Sequence, residues 1–439
     1  YLANLGCPTN AVDAEGMAMR LQAAGYRPVA AQSEADLIIV NTCGFIAAAR
    51  AESLRALRQA SQAKRPHQLL IAAGCLAERE GAALAGRVPG IDGYIGTRHW
   101  SQIVPLVEEV SRRQARRPAG LPEVVGSGNL VAPMRRAAVG ATAYLKIADG
   151  CDAPCAFCAI PQIKGPQRSK PPQAILAEAR SLVDQGVREL ILIAQDTTAY
   201  GWDLGQRDGL ARLLPALLAQ VPELTWLRLL YAYPQHVDSR LIDVLASDPR
   251  LCHYLDLPLQ HAHPDLLRRM RRPHDPERLE RLVADLRAAI PDIALRSTFI
   301  VGFPGETEQE FQVLLDFMAT VRFDRVGVFT YSKEKGTAAA GLPGQLAPRL
   351  RQERYERAMA WQQKISLQRN QEQVGRTLPV LIEGAQDGIS LGRSYRDAPE
   401  VDGLVLIEGL HPVGEFVPVK VTQGLEYDLV GEPAVEPRA

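Results

Sequence analysis

The feature that most constrains this chain is a group of three cysteines within eight residues, Cys151, Cys155 and Cys158. Three thiolates at this C-x3-C-x2-C spacing can surround one metal centre from a single short loop. A structural zinc site normally takes four protein ligands, and the next candidates along the chain, His236 and Cys252, are distant in sequence. Iron–sulfur clusters favour thiolates and normally use four ligands as well. Three thiolates on a four-iron cluster leave one iron free for a small molecule, so the spacing favours such a cluster over a zinc site closed by a distant residue.

Composition excludes several other classes of protein. An odd number of cysteines, seven in 439 residues, argues against a disulfide framework and for metal or redox chemistry in a reducing cytoplasm. Lys+Arg and Asp+Glu are 50 each, so a uniformly basic protein that coats nucleic acid is excluded. No run approaches the roughly 18 apolar residues of a membrane span. We therefore expect a globular cytoplasmic protein with no membrane contact.

The first 110 residues alternate strand and helix patterns. Continuous apolar strands between helices indicate a parallel sheet covered on both faces, so we predict a doubly wound α/β domain over residues 1–110. The predicted strands are Tyr1–Leu5, Asp36–Val40 and Leu69–Ala73. A cysteine follows each strand, in turn Cys7, Cys43 and Cys75. Ligands of open α/β sheets bind at the carboxyl ends of the strands, so we expect these three cysteines to meet at one edge.

Residues 111–138 interrupt this pattern. An arginine-rich segment over Ser111–Pro118 runs into a stretch rich in glycine, proline and valine. Such composition is typical of an exposed linker. The arginines could contact an acidic partner, but a solvated basic linker is the favoured interpretation.

Residues 139–375 contain six strand patterns that alternate with helix patterns. The predicted strands are Thr142–Ala148, Glu189–Ala194, Leu224–Leu230, Tyr254–Leu257, Leu295–Val301 and Arg325–Tyr331. Six βα units predict a partial (βα)6 barrel, with its chemistry at the carboxyl ends of the strands. Within it, Thr307–Glu310 has the pattern of a capping box at the start of a helix.

Residues 376–439 predict a small all-β, OB-like domain. Its predicted strands are Leu378–Ile382, Ile389–Ser394, Gly403–Ile407 and Phe416–Val421. The domain has five basic and eleven acidic side chains, a formal charge of −6. This charge suits docking to a basic protein. Because Asp397, Glu400 and Asp402 lie near a predicted turn, we expect their side chains to be exposed.

One more residue of the cysteine loop points to a family. Phe157 is an aromatic residue directly before the last cysteine, and the loop follows the first strand of the predicted barrel. In these respects the chain resembles the radical S-adenosylmethionine (SAM) enzymes. The resemblance implies a four-iron cluster on Cys151, Cys155 and Cys158, whose open iron binds the amino and carboxylate groups of SAM before cleavage to a 5′-deoxyadenosyl radical. It also implies that Phe157 packs near the adenine, although core packing explains that residue equally well.

Shorter motifs narrow the resemblance to the methylthiotransferases. The motifs are Leu5-Gly6-Cys7-Pro8, Asn41-Thr42-Cys43 and Gly74-Cys75. The family's architecture covers the whole chain: an N-terminal methylthiotransferase domain, a radical SAM core and a C-terminal β-module called TRAM. The resemblance implies a second four-iron cluster on the three N-terminal cysteines, the alternative being buried, inert thiols. Cys252 has no matching role and is interpreted as a core residue.

Longer stretches resemble the methylthiotransferases that act on ribosomal protein twelve of the small subunit. They are Gly150–Pro161, Gly165–Ser169, Ile193–Gly201, Leu230–Pro234 and Leu257–Ala262. The resemblance implies transfer of a methylthio group to the β-carbon of an aspartate in that protein, with an electron donor and a sulfur source as further partners. The target C–H bond is unactivated, so a radical is required. Thr9 departs from the lysine usual in this subfamily, which puts a substrate-facing role of that position in doubt.

Polar residues at the predicted strand ends are candidates for SAM contacts. By resemblance, Gln195, Asp196, Gln260 and Arg296 would bind the amino, ribose and carboxylate parts of SAM, and Arg296 could pair bidentately with a carboxylate. Ordinary hydrogen bonding or helix capping is the alternative for each. His261 could carry a proton, but a structural histidine is an equally good interpretation.

Two other functions compete with this one. The first is a tRNA methylthiotransferase that modifies an adenosine beside the anticodon, which shares all six cysteines. A module that tracks phosphates should be positive, so the acidic C-terminal domain argues against tRNA as a partner. The second is a non-enzymatic iron–sulfur scaffold or electron carrier, which would not cleave SAM.

Overall fold

A computed structural model describes residues 1–114 and 136–434. Most of the predicted linker 111–138 lies outside the described residues, although the last N-terminal helix continues to Gln114. Among the helices of the described ranges, none combines the length and apolar character that crossing a membrane requires.

The N-terminal region is a four-stranded parallel sheet with strand order β1-β2-β3-β4. Its strands are β1 (Leu2–Asn4), β2 (Leu37–Thr42), β3 (Leu69–Gly74) and β4 (Gly93–Gly96), and its helices are α1 (Pro8–Ala23), α2 (Ala47–Ala63), α3 (Cys75–Glu80), α4 (Leu84–Arg87) and α5 (Ile103–Gln114). Helices α1 and α5 pack on one face and α2 to α4 on the other, which confirms the doubly wound sheet. The sequence pattern misses β4 because two of its four residues are glycines, which have weak strand preference.

The central region is a six-stranded parallel sheet with strand order β12-β11-β10-β9-β8-β5. Its strands, with the small antiparallel pair β6 and β7, are β5 (Thr142–Lys146), β6 (Ala148–Asp149), β7 (Arg168–Ser169), β8 (Glu189–Ile193), β9 (Trp226–Leu229), β10 (Leu251–Asp256), β11 (Ala294–Val301) and β12 (Arg325–Thr330). Its helices are α6 (Ile160–Lys164), α7 (Pro172–Val183), α8 (Gly209–Gln220), α9 (Ser239–Ser247), α10 (Pro264–Arg269), α11 (Pro276–Ala289), α12 (Glu308–Val321) and α13 (Pro348–Gln371). All six predicted barrel strands are present, and the capping box at Thr307 is confirmed.

The concave face of this sheet is covered by both neighbouring regions. Ile191 of β8, Tyr254 of β10 and Ala294 of β11 share one apolar cluster with Val12 of α1 and Leu381 of the C-terminal region. The six parallel strands with their helices form the predicted partial barrel, and we call the space at its inner face the lumen. The helices cover the outer face through a second, larger core.

The C-terminal region is a closed five-stranded barrel with strand order β13-β14-β15-β17-β16. Its strands are β13 (Thr377–Gln386), β14 (Ile389–Ser394), β15 (Val405–Glu408), β16 (Phe416–Gly424) and β17 (Leu429–Pro433). The predicted small β-domain is confirmed, with a fifth strand. The sequence pattern misses β17 because the strand contains a glycine and a proline, both of which are depleted in strands.

The expected exposure of two C-terminal carboxylates is wrong. Asp397 and Asp402 are buried against the central barrel, with side chains only 1% and 2% exposed, and Glu400 alone of the three is exposed. Asp397 pairs with Arg325 at 2.6 Å, and Asp402 lies beside Arg296. Net composition does not reveal which charges are already paired, and these two carboxylates neutralise arginines of the central region.

Candidate functional site

The carboxyl ends of β1, β2 and β3 bring the three N-terminal cysteines to one edge. Cys7 directly precedes α1, Cys43 follows β2, and Cys75 opens α3 after β3. The loops touch: a Cβ on Gly6 would lie 3.4 Å from the Cys43 sulfur, and one on Gly44 would lie 2.8 Å from the Cys75 carbonyl carbon. The sheet register therefore assembles residues that are far apart in sequence.

Asn10 of α1, which sequence reasoning did not single out, ties this edge together. Its side-chain Nδ2 donates to the carbonyl oxygens of Leu5 and Thr42, each at 3.0 Å. Its Oδ1 accepts a hydrogen bond from the Cys75 sulfur at 3.4 Å. One amide thus connects the loops that follow all three strands. In the sequence, Asn10 is an asparagine three residues after Cys7, and that spacing alone does not reveal this role.

The three central cysteines lie in one loop between β6 and α6. Gly150, which opens the loop, has φ +77°, and a Cβ there would lie 2.1 Å from the Pro166 carbonyl oxygen, so only glycine fits. Each sulfur receives a nitrogen donor. The donors are the Ala153 amide to Cys151 at 3.4 Å, Arg272 Nη1 to Cys155 at 3.7 Å and the Ile160 amide to Cys158 at 3.4 Å.

The donor chemistry of both cysteine sets fits iron–sulfur clusters. All six cysteines are free thiols, and N–H groups commonly donate hydrogen bonds to the sulfurs of cluster thiolates and so tune the cluster. Burial raises the pKa of Cys151 to about 11 and the pKa values of Cys75 and Cys158 to about 12, so a bound cluster would have to displace their protons. Among the described residues no group of His, Cys, Asp and Glu is arranged to hold a single metal ion, and a cluster spaces its thiolates more widely than one ion does.

The end of β8 lies between the two cysteine sets. Thr9 Oγ1 is 3.0 Å from the Cys7 sulfur and accepts a hydrogen bond from Gln195 Nε2 at 3.4 Å. On the other side, the charge of Asp196 contributes to the raised pKa of Cys151, after burial. Gln195 and Asp196 are therefore adjacent residues that face different cysteine sets.

Asp196 is held firmly in place. Its carboxylate accepts from Thr198 Oγ1 at 2.6 Å and lies 2.9 Å from His236 Nδ1. Phe157 is half-buried against the apolar cluster that contains Phe303 and Tyr331. Asp196 and Phe157 therefore lie near the central cysteines, and the ligand roles of all the predicted SAM-contact residues stay predictions.

Two strand ends carry strained backbone. Gln260, after β10, has φ +75°, and Tyr231, after β9, has φ +61°. A positive φ costs conformational free energy for a residue other than glycine, and such residues cluster at functional sites. Burial, with a smaller contribution from the Cys7 charge, raises the pKa of Tyr231, and its ring packs against the apolar cluster that contains Val12 and Tyr254. Backbone strain of this kind has no sequence signal.

Arg296 and His261 occupy different environments. Arg296 on β11 faces the lumen, where Nη1 donates to Asp256 at 3.0 Å. His261 is fully buried; its Nδ1 accepts from the His263 amide at 3.0 Å, and burial lowers its pKa. These contacts favour the structural interpretation of His261 over a proton carrier.

A buried group of four charges joins helix α1 of the N-terminal region to the elements that flank the central cysteine loop. Lys164 Nζ is 2.8 Å from Asp149 and 3.7 Å from Asp13 of α1, and Lys146 pairs with both carboxylates. Despite the opposing effect of burial, the two lysines lower the pKa of Asp149 to about 2. Together these pairs fix the position of one cysteine set relative to the other.

Three family models match the chain in succession. Residues 1–96 match the uncharacterized protein family UPF0004, residues 145–318 match the radical SAM superfamily, and residues 374–434 match the TRAM domain. The order of these matches is that of the three regions of the structure.

Curated relatives match over nearly the full length. A ribosomal protein uS12 methylthiotransferase RimO of Roseiflexus castenholzii is 52% identical over 460 residues, covering 98% of this chain and 95% of the relative. The RimO protein of Chloroflexus aurantiacus is 52% identical over 450 residues, covering 98% and 99%. That of Desulforamulus reducens is 46% identical over 440 residues, covering 99% of each.

Solved structures share the fold at low sequence identity. The radical SAM methyltransferase TsrM from Kitasatospora setae superposes with a TM-score of 0.56 at 15% identity, covering 91% of this chain and 81% of that one. The cobalamin-dependent radical SAM enzyme OxsB gives a TM-score of 0.51 at 12% identity, covering 83% and 55%.

Proposed function

The chain belongs to the RimO family of ribosomal protein uS12 methylthiotransferases, and on that premise we propose that it transfers a methylthio group to the β-carbon of an aspartate in uS12, the small-subunit protein twelve. The observation that carries the proposal is the meeting of two cysteine sets at one strand end. Thr9 contacts both Cys7 and Gln195. The carboxylate of Asp196, the next residue along the strand end, lies close enough to Cys151 for its charge to contribute to the raised pKa of that thiol. A reaction that needs a radical and a sulfur donor at one carbon requires such proximity.

We place one four-iron cluster on Cys151, Cys155 and Cys158 and a second on Cys7, Cys43 and Cys75. Bound in the central loop, the first cluster and SAM supply the hydrogen-abstracting radical chemistry of the radical SAM superfamily. The chain's own part is to hold the thiolates, to direct N–H donors at them and to exclude water.

We further propose that SAM lies along the strand ends that line the lumen. The contacts would come from Phe157, Gln195, Asp196, Gln260 and Arg296. Support comes from the proximity of Phe157 and Asp196 to the central cysteines, from the fixed carboxylate of Asp196 and from the strained backbone of Gln260.

The atoms and electrons that the reaction consumes identify its remaining partners. Replacing hydrogen by a methylthio group requires a methyl group and a sulfur atom, and cleaving SAM to the hydrogen-abstracting radical requires an electron. SAM supplies the methyl group and the radical, so an electron donor and a sulfur source must act with this chain in the cytoplasm, where ribosomal proteins are found.

The test is modification of uS12 by the reconstituted full-length protein with SAM, a reductant and sulfide under anaerobic conditions. Mass spectrometry of uS12 should show a methylthio group on one aspartate, and uS12 with that aspartate changed to asparagine is the control. A methylthio mark found on tRNA alone would establish the tRNA-modifying alternative. Failure to cleave SAM would establish the scaffold or electron-carrier alternative.

A further inference from the structure

A carboxylate of the C-terminal barrel reaches the lumen of the central barrel. Asp402 Oδ2 accepts hydrogen bonds from the Tyr254 hydroxyl at 2.6 Å and from the Ala398 amide at 2.9 Å. Its Oδ1 is 3.4 Å from Nε of Arg296. Because Tyr254 and Ala398 fix the carboxylate, Asp402 forms a rigid support on one side of the guanidinium.

Arg296 is held on two sides and open on the third. Nη1 donates to Asp256 at 3.0 Å and to Thr298 Oγ1 at 3.3 Å. Within residues 1–114 and 136–434, Nη2 makes no hydrogen bond. It lies beside Gly327, where a Cβ would stand 3.4 Å away, so the absence of a side chain at that position leaves space over Nη2.

A neighbouring arginine, Arg325, differs from Arg296 in how its guanidinium nitrogens are used. Arg325 also pairs with a buried C-terminal carboxylate, Asp397, but all of its nitrogens are used. Its Nε and Nη2 donate to Asp397 at 3.1 and 2.6 Å, and Nη1 donates to Asn370 at 3.1 Å. Arg325 therefore joins the two domains, whereas Arg296 keeps a charge-assisted donor directed at the lumen.

We propose that Asp402 is a positioning residue that aims Nη2 of Arg296 at a carboxylate in the lumen. This inference rests on the proposed function, which brings two carboxylates to the lumen: that of SAM and that of the target aspartate of uS12. A carboxylate is the strongest acceptor for a free guanidinium N–H. The C-terminal barrel thereby contributes to the floor of the active site.

The test compares Asp402→Asn with Asp397→Asn in the full-length, cluster-loaded protein. Both changes remove the charge of a buried carboxylate that pairs with an arginine of the central region, so both lower the melting temperature. Without reductant SAM is not cleaved, and equilibrium titration gives its dissociation constant. Decarboxylated SAM is the probe for the carboxylate, and Arg296→Gln defines complete loss of the interaction.

If the carboxylate belongs to SAM, wild-type protein prefers SAM to decarboxylated SAM, and Asp402→Asn reduces that preference about tenfold, the value of one charge-assisted hydrogen bond. If it belongs to the substrate, the same variant reduces the preference for uS12 over uS12 with an Asp→Asn change at the target. Asp397→Asn should leave both preferences unchanged.

Unchanged preferences in Asp402→Asn, or equal losses in Asp397→Asn, would overturn the positioning role. Such a result leaves the proposed function intact as long as wild-type protein modifies uS12. Wild-type protein that cleaves no SAM would instead refute the proposed function itself.

Discussion

The two cysteine regions of this molecule are built in opposite ways. Cys151, Cys155 and Cys158 share one loop of eight residues, whose geometry depends on Gly150 and on nearby amides. Cys7 and Cys75 are 68 positions apart and meet only because parallel strands end at one edge. The central set depends on local conformation, and the N-terminal set depends on packing between separate elements and across a domain boundary.

This difference predicts different vulnerabilities. A loop of eight residues costs little entropy to close, whereas gathering three distant segments costs more, and this cost must be offset by the sheet, by Asn10 and by the buried charges around Lys164. Disturbances of packing should therefore remove the N-terminal cluster first and leave SAM cleavage intact.

The largest effect is expected from Cys151→Ala combined with Cys155→Ala. The central loop then lacks two of its three thiolates, so formation of 5′-deoxyadenosine should fall to background while iron falls from about eight to about four per chain. Iron analysis and chromatography of the nucleoside products measure both. Cys252→Ala, a buried cysteine outside both sets, is the control and should retain both clusters.

Cys43→Ala combined with Cys75→Ala should have the opposite profile. SAM cleavage should continue at near wild-type rate, about four irons should remain, and methylthiolation of uS12 should be lost. Efficient methylthiolation by this variant would contradict a sulfur-transferring role for the N-terminal set.

Gly44→Ala tests whether packing alone can disable the N-terminal set. The added Cβ would lie 2.8 Å from backbone atoms of Cys75 and Leu76, which must move and take the Cys75 sulfur with them. We expect at least about tenfold weaker methylthiolation, in the range seen when the surroundings of metal ligands are disturbed, with SAM cleavage unchanged. Gly86→Ala in α4, where nothing lies within 4 Å, should be nearly neutral.

Lys164→Met tests the buried group of four charges formed by Asp13, Lys146, Asp149 and Lys164. It leaves Asp13 and Asp149 buried with Lys146 as their remaining lysine, which should lower the free energy of unfolding by about 3 kcal/mol. Lys170→Met is the matched control, because Lys170 is equally buried but pairs with Glu178 inside the central region. Both variants should be less stable in chemical denaturation, and only Lys164→Met should lose N-terminal iron preferentially. Equal iron loss would show that this group of charges has no special role in holding the N-terminal cluster.

The smallest effect is expected from Arg272→Met. A cation that donates to the Cys155 sulfur stabilises the reduced, more negative cluster, so its loss should lower the potential of the central cluster alone. A tenfold lower ratio of reduced to oxidised cluster corresponds to about 59 mV for one electron. Redox titration followed by electron paramagnetic resonance measures the shift. Arg268→Met, at an exposed position, should leave it unchanged, and an equal shift of both clusters would contradict the assignment.

The parts of the site that sequence reasoning located share one property. The central loop, the strand ends at Gln195 and Gln260 and the N-terminal sheet edge all follow from short-range patterns combined with a rule of α/β topology. The parts it missed, Asn10, Tyr231 and Arg272, act through contacts between residues far apart in sequence or through backbone strain. Neither leaves a local pattern.

Charge was the least reliable guide. The C-terminal region is acidic as a whole, yet Asp397 and Asp402 neutralise arginines of the central barrel and are removed from solvent. Glu189 behaves similarly: burial opposes its charge, but Arg228 and Arg393 lower its pKa to about 2. A count of charged residues gives the net charge of a domain, but it does not show which of the charged side chains face solvent.

The sequence by itself determined the class of fold, the order of its three regions and the thiol chemistry, because hydrophobic period and cysteine spacing are properties of short segments. Only the tertiary structure decided which residues of different regions meet: Thr9 between Cys7 and Gln195, Lys164 between Asp13 and Asp149, and Asp402 beneath Arg296. Such meetings depend on how domains pack against one another, and that packing is the sum of many weak contacts, none of which is encoded in a single stretch of the chain.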